Sequence, residues 1–589
     1  MLSAALLSGA LLSPAQGQTT HPGSSPTQGG QTTQPFPSSY QPAAQVIVTS
    51  AEGSTYVPMD SWMYPALDRL HSLGYLNTAF LGLRPWTRLS IAHMLEQSAD
   101  AIDNSNDEQA KEIYLAVLNE VQPDIDNATE LTHPGAELNS VYQDFRGIDG
   151  TPLRDSFHLG QTIIDDYGRP YEGGFNNYTG FSVRAEAGRF SLYYRGEYQH
   201  SPSAAGYSPA LAAYLSDTID NIPFASNPNQ ATIPEGPIAA ADNARVLEAT
   251  ISYHLLGHEV SFGKSDHWMG PDQGASMLWS DNAQDIYQFQ IDRVEPLRIP
   301  LLSRLTGPFR YDFFVGSLKG HTDPNDPWVH VEKVSFKPTR NLEFGFSRMV
   351  IWGGKDHEPI TLHTFLKSFF SFSAPSPSVK HSPNDPGARF GTFDFDYRLP
   401  YLEHWLTLYA DSEVHDDVSP IDAPRRAAVH PGIYLARFPG LQKLDLRVEG
   451  ASTDAGPVGS RDVLGQFFYW ETVQKQGPTN EGFLVGDWIG RQDKGGQAWL
   501  TYHLSAKDCV QFMYRRAKAS NKFFPGGTTQ NDFAGSVQKW VGRNIEVQGR
   551  VQYEGWKAPI LTYPVFTSTL HNDTTVAVRI TWFPHEGGH

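Results

Sequence analysis

The chain has 589 residues and a formal net charge of −19, with 19% charged and 12% aromatic residues. That balance argues against a nucleic-acid partner, because a phosphate-binding surface needs clustered Lys and Arg, and no such cluster occurs. The single cysteine, Cys509, leaves no intramolecular disulfide and no thiolate-rich zinc site.

The first residues read as a secretion signal. Leu2, Leu6, Leu7, Leu11 and Leu12 form a short apolar region ahead of the small-x-small triplet Ala15-Gln16-Gly17, so residues 1–17 are expected to be a cleaved signal peptide. Residues 18–50 are mainly Gln, Thr, Ser, Pro and Gly. They hold too little apolar surface to offset the entropy of ordering, which predicts a flexible tether.

Residues 51–136 read as a small helical bundle on the periplasmic side. Asp60 is placed to cap a helix carrying Trp62, Leu67, Leu70 and Leu73, with Gly74 ending it. Thr87 can cap a second helix bearing Ile91, Met94 and Leu95. Ser105 or Asp107 opens a third, where Ala110, Ile113, Val117 and Val121 share one face and Pro123 closes the helix.

Beyond Glu137 the period changes to two. In the run from Ile545 to Glu554 one face is Ile, Val, Gly, Val, Tyr, and the other is Glu, Gln, Arg, Gln, Glu. The segments 181–187, 342–347, 444–449 and 510–515 repeat the pattern. Each therefore has one wet and one apolar face. A soluble sandwich alternates in the same way. Tight turns such as Gly188-Arg189, set against long Pro- and Gly-rich loops near 201–242 and 372–388, favour a transmembrane β-barrel over residues 137–589. The last strand, Thr575 to Phe583, ends in aromatics. No segment approaches the roughly 18 apolar residues of a spanning helix, so a membrane crossing has to be made by a closed barrel.

Two stretches resemble the capsule assembly Wzi family of outer-membrane proteins. One runs from Tyr56 to Leu70 and on through Leu81-Gly82-Leu83-Arg84-Pro85-Trp86-Thr87-Arg88. The other comprises Gly263-Lys264, Trp268-Met269-Gly270-Pro271, Met277 to Ala283, and Leu342 to Arg348 with Trp352-Gly353-Gly354. Where members tend to have Trp-Trp-Gly-Pro-Gly, this chain has Trp268-Met269-Gly270-Pro271-Asp272. The resemblance implies a barrel of about 18 antiparallel strands in the outer membrane of a Gram-negative bacterium, preceded by a helical bundle. It also implies a lectin that attaches capsular or extracellular polysaccharide to the cell surface, with polysaccharide export machinery as a further partner. A porin for sugars or small solutes is the alternative.

Sugar sites combine aromatic faces with planar polar groups. The segment 266–285 supplies both, and Trp268, Trp279, Asp281 and Asn282, completed by Arg348 and Trp352, are the candidate polysaccharide-binding residues. An interfacial aromatic belt flanked by polar loop residues is the competing reading. Arg425-Arg426 and Arg515-Arg516 are the basic pairs available to an anionic polymer. Catalysis, cofactors and metals are not expected. No hydrolase elbow, metalloprotease motif or phosphate loop occurs. The adjacent carboxylates Asp165-Asp166 and Asp416-Asp417 are expected to point to opposite faces of strands, too far from the geometry of a glycosidase pair.

Overall fold

A computed structural model describes residues 52–130, 134–372, 375–416, 419–421, 423–454 and 468–584. The expected signal peptide (1–17) and tether (18–50) lie outside the described residues. Four helices come first: α1 (Met63–Ser72), α2 (Arg88–Glu96), α3 (Ala99–Asp103) and α4 (Glu108–Glu130). Their apolar stripes, with Leu67, Leu70, Ile91, Leu95, Ala110 and Val117 all buried, form the core of the module. Gly74 adopts a φ of +93° just past α1, a conformation that a side chain would strain. Thr87 caps α2 by accepting from the Ser90 N–H at 3.1 Å. Asp107 accepts from the Ala110 N–H at 3.2 Å, as the sequence suggests.

Three details differ from the sequence reading. Asp60 does not cap α1; its carboxylate is taken by Arg195 at 2.6 Å and Arg579 at 2.9 Å, on the inner face of the barrel wall. The short α3 was not anticipated. Pro123 does not end α4, which continues through it to Glu130. The helix loses one hydrogen bond there, but the adjacent Asp124 is buried between Arg88 at 2.8 Å and Arg184 at 2.5 Å. Tertiary contacts of that kind, more than local propensity, decide where a helix stops.

From Gly135 onward eighteen antiparallel strands follow one another around a single ring. The first, Gly135–Gly150, pairs both with its successor Gly174–Ala187 and with the last, His571–Trp582. The sheet is therefore closed and has no edge. The two-residue alternation reads out as expected. Val551 and Tyr553 are exposed on the outer face, whereas Glu546, Gln552 and Glu554 are buried toward the lumen. Phe181, Phe190, Phe262, Phe512 and Phe533 are likewise exposed outward, a wall that suits lipid and not water. Among the described residues no helix is long and apolar enough to cross a membrane; the spanning elements are strands.

Turns at one end are mostly short, as at 188–189, 256–257, 340–341 and 542–544, with 293–308 the longer exception, while the other end carries loops that include 151–173, 202–240, 265–286, 353–372, 375–387, 468–492 and 558–570. The helical module sits at the short-turn end: the Gly53 N–H donates to the Gly188 carbonyl at 2.8 Å, and His404, in the turn 399–405, bonds the Leu73 carbonyl through Nδ1 at 2.6 Å.

Candidate functional site

Inward positions of the wall carry charge, which pairs partly within the wall, as in Lys333–Asp394 at 2.7 Å, and partly with the helical module and the loops that dive into the lumen. Arg69 of α1 meets Asp445 at 2.9 Å, Arg447 of the wall pairs with Asp68, and Lys337 donates to the Ala79 carbonyl at 2.5 Å. Two wall glutamates act alike. Glu343 accepts the consecutive N–H groups of Leu81 and Gly82 at 2.8 and 3.1 Å. Glu449 accepts those of Gln273 and Gly274 at 2.8 and 2.9 Å. A Cβ on Gly82 would lie 2.5 Å from Asp394 Oδ1 and one on Gly274 would lie 2.2 Å from Gln497 Oε1, so in either place a side chain could enter only if its neighbour shifted.

Three long loops interlace above the module. The Ser280 N–H donates to the Val485 carbonyl at 2.6 Å, Asn282 Nδ2 to the Leu484 carbonyl at 3.1 Å, and the Tyr167 N–H to the Asp281 carbonyl at 2.8 Å. Tyr469 Oη closes the set on the Met277 carbonyl at 2.6 Å. Leu83, Met269, Leu278, Trp279, Phe314, Met349 and Val485 share one buried apolar cluster, so the plug packs against the inner face of the wall.

Of the candidate residues, Trp268, Trp279, Asp281 and Asn282 come together inside this plug. Trp279 is 1% exposed and packs edge-on against Phe314 with centroids 5.0 Å apart. Trp268 exchanges backbone hydrogen bonds with Arg84, whose guanidinium carbon stands 5.4 Å from its ring, and its Nε1 donates to the Asp272 carbonyl at 3.0 Å. Arg348 and Trp352 lie elsewhere. On the strand Leu342–Trp352 the lumen face is held by Glu343, Gly345, Ser347, Met349 and Ile351, so Arg348 and Trp352 point out of the barrel. There the helix Leu362–Phe369 covers them. Phe365 lies 5.8 Å from the Trp352 ring, and Arg348 pairs with Glu332 at 3.1 Å while donating to the Phe369 carbonyl at 2.6 Å. The wall of the barrel separates the two groups, so the six residues do not form one cleft.

The carboxylate pairs also differ from expectation. Asp165 and Asp166 sit in a loop and not on a strand; Asp166 binds Arg146 and Arg169, and the Asp165 N–H donates to Asn282. Asp416 follows a strand end, and Asp417 lies outside the described residues. Of the basic pairs, Arg515 is buried against Asp532 at 2.7 Å, whereas Arg425 is exposed in a loop.

The long-loop end presents exposed loop surface. Two loops far apart in sequence meet there: Tyr214, which ends the helix Pro209–Tyr214, stacks on Tyr563 with centroids 4.5 Å apart and planes at 30°. Both rings are half-buried, and the neighbouring Phe566 is exposed. Sequence reading missed this pair. The only available signal was aromatic residues within Pro-rich loop segments. Below it, His158 bridges Asp155 and Asp220 at 2.9 Å each and ties two loops together. Burial alone would lower its pKa, but the two carboxylates outweigh that and raise it to about 9.

Residues 145–566 match the family described as capsule assembly protein Wzi. A Klebsiella pneumoniae protein described as an uncharacterized 55.8 kDa protein in the cps region is 25% identical over 161 residues, 27% of this chain and 31% of that protein. The chain thus spans about a third of the curated relative it matches. Among solved structures, Wzi of Escherichia coli, described as an outer membrane protein involved in group 1 capsule assembly and a carbohydrate-binding β-barrel, has a TM-score of 0.62 at 15% identity, covering 89% of this chain and 99% of that one. That likeness carries the fold, a closed barrel with a helical N-terminal region.

Proposed function

The chain belongs to the capsule assembly protein Wzi family, and on that premise we propose that it is a non-enzymatic, lectin-like protein of the outer membrane that attaches or organises capsular or exported polysaccharide at the cell surface. One observation carries this reading beyond family membership: the barrel is filled. A lumen packed by the helical module and three inward loops does not suit a porin, whose role needs a continuous aqueous path. What remains for function is the surface at the long-loop end. The description of the Escherichia coli relative as carbohydrate-binding supports the same assignment.

In this reading the short-turn end and the helical module face the periplasm, where polysaccharide export machinery is the partner, after export directed by residues 1–17. The long loops face outward. The Tyr214–Tyr563 stack and Phe566 offer aromatic faces to sugar C–H surfaces, and the exposed Arg425 offers charge to an anionic polymer. Trp268 and Trp279 act indirectly, by holding the plug beneath those loops.

The test has two arms. Deleting the gene should release polysaccharide from the cell surface into the medium. The detergent-purified protein should retain the cell's own extracted polysaccharide, with Tyr563→Ala and Phe566→Ala weakening retention about tenfold, the value of one to two stacking contacts. Unchanged cell-associated polysaccharide together with no retention by the purified protein would remove the proposal.

A further inference from the structure

Where the module, the loop 151–173 and the loop 265–286 meet, three aspartates converge. One carboxylate oxygen from each of Asp266, Asp281 and Asp285 lies within 4.8 Å of the others, and the three side chains are 1, 4 and 3% exposed. The Asp266 Oδ2 is occupied, accepting from the Met59 N–H at 2.8 Å and from Tyr167 Oη at 3.0 Å. Its Oδ1 has no hydrogen-bond partner among the described residues, and neither do Oδ1 of Asp281 and both oxygens of Asp285. Four buried acceptor atoms of these carboxylates therefore receive no hydrogen bond from any N–H or hydroxyl among the described residues.

No cation pairs directly with the three carboxylates among the described residues. Arg195 is held by Asp60 at 2.6 Å and by Glu248 at 3.4 Å, the Lys264 ammonium donates to the Val246 carbonyl at 2.7 Å, and Arg245 donates to the carbonyls of Tyr167 and Gly168; Lys264 and Arg245 act on the cluster only through space. Buried carboxylates this close cannot all remain ionised without added positive charge. We propose that Asp266, Asp281 and Asp285 hold a divalent cation, and that the ion is calcium. The donor set is all oxygen, with no imidazole or thiolate to favour zinc, copper or iron. Calcium–oxygen distances of roughly 2.3–2.6 Å place ligands on opposite sides of the ion up to about 5 Å apart, which accommodates this spread, while water completes the shell. Through Met59 and Tyr167 the ion fixes the loop 265–286 to the entry of the helical module and to the loop 151–173.

The test uses the full chain, purified in detergent and freed of cations with EGTA. Titration with calcium should saturate at one equivalent and raise the thermal midpoint by about 2 °C at a hundredfold excess over Kd. Terbium should replace it with emission sensitised through Tyr167, and calcium should compete that emission away. Asp281→Asn and Asp285→Asn should each weaken binding at least tenfold, whereas Asp272→Asn, in a separate buried cluster with His430 and Glu449, should leave it unchanged. Heat-modifiable mobility on a gel checks that each variant is folded. Wild-type protein that shows no saturable binding overturns the proposal. So does an Asp285→Asn protein that is more stable than the wild type even in saturating calcium, which would mean that the carboxylates share protons. Calcium binding that survives both Asn variants would place the ion elsewhere and also overturn it. None of these readouts depends on polysaccharide.

Discussion

Arg69 of the helical module and Asp445 of the barrel wall form an ion pair of 2.9 Å, almost wholly buried, between positions 376 residues apart. The pair lies inside a larger network: Asp445 also accepts from Tyr434 Oη at 3.0 Å and bonds His503 Nε2 at 2.6 Å, and Arg69 also reaches the Gln109 amide oxygen and the Gln442 carbonyl. A module of four short helices acquires its place by such contacts with the inside of a much larger object.

Removing one partner of a buried pair leaves the other uncompensated, which costs about 3–5 kcal/mol. Arg69→Ala is expected to fall at the lower end of that range, since Tyr434 and His503 still serve Asp445. The module should then loosen while the wall persists. Limited proteolysis should cut within 52–130 before any barrel strand, at an unchanged mobility of the barrel fragment. Arg69→Met combined with Asp445→Leu should recover much of the loss.

Several of these features were legible in the sequence. The period of two placed the wall, the change of period near Glu137 placed its start within two residues of Gly135, and turn and loop lengths gave it a polarity. Thr87 and Asp107 announced their helices because capping is local chemistry. Asp60 could not be read in the same way. Its partners, Arg195 and Arg579, become neighbours only when the barrel closes. The sides taken by Arg348 and Trp352 were equally hidden. Alternation assigns two faces to a strand, but polar Glu343 and polar Arg348 differ by an odd number of residues and so face opposite ways. Only the helix Leu362–Phe369, folded back on the outer wall, explains an arginine there.

That outer-wall contact gives a second expectation. Arg348 bonds the Phe369 carbonyl at the end of the helix and the Ser371 carbonyl at 3.3 Å, while His330 Nε2 bonds Ser368 Oγ at 2.9 Å. Arg348→Ala should leave Glu332 held by His330 Nδ1 alone, at 2.5 Å, and detach the C-terminal end of the helix, at a cost of about 1–3 kcal/mol. Trypsin should cleave at Lys367 at least tenfold faster in the variant, with polysaccharide retention measured in parallel to show whether this loop contributes.

His158 predicts a pH dependence with a definite sign. Its folded pKa of about 9 stands above the ordinary 6.5, so the charged imidazolium stabilises the docked loops fully below about pH 6.5. That contribution, about 3 kcal/mol at most, is lost as pH rises from 6.5 through 9. The loops 151–173 and 202–240 should become progressively more susceptible to protease over that window. His158→Gln should remove the dependence and behave at pH 6 much as the wild type does at pH 10. A wild-type profile that runs flat from 6 to 10 would refute the bridging role.

The packed lumen leads to the last expectation, on conductance. A path for ions through the barrel would have to pass the apolar cluster around Trp279, the paired charges between module and wall, and the interlaced loops above them. Wild-type protein in planar bilayers should therefore show no steady ohmic current. Trp279→Ala removes a side chain that is 1% exposed and leaves a cavity against Phe314 and Met269, which should destabilise the plug by about 3–5 kcal/mol. Because the strands keep their ladder, the wall should retain its heat-modifiable mobility, and the variant should show brief openings where the wild type is silent. Steady current in the wild type would mean that the plug is displaced in the membrane, and the case against a porin would go with it. Openings in Trp279→Ala alone would locate the seal at the apolar centre of the plug, separate from the loop surface assigned to polysaccharide.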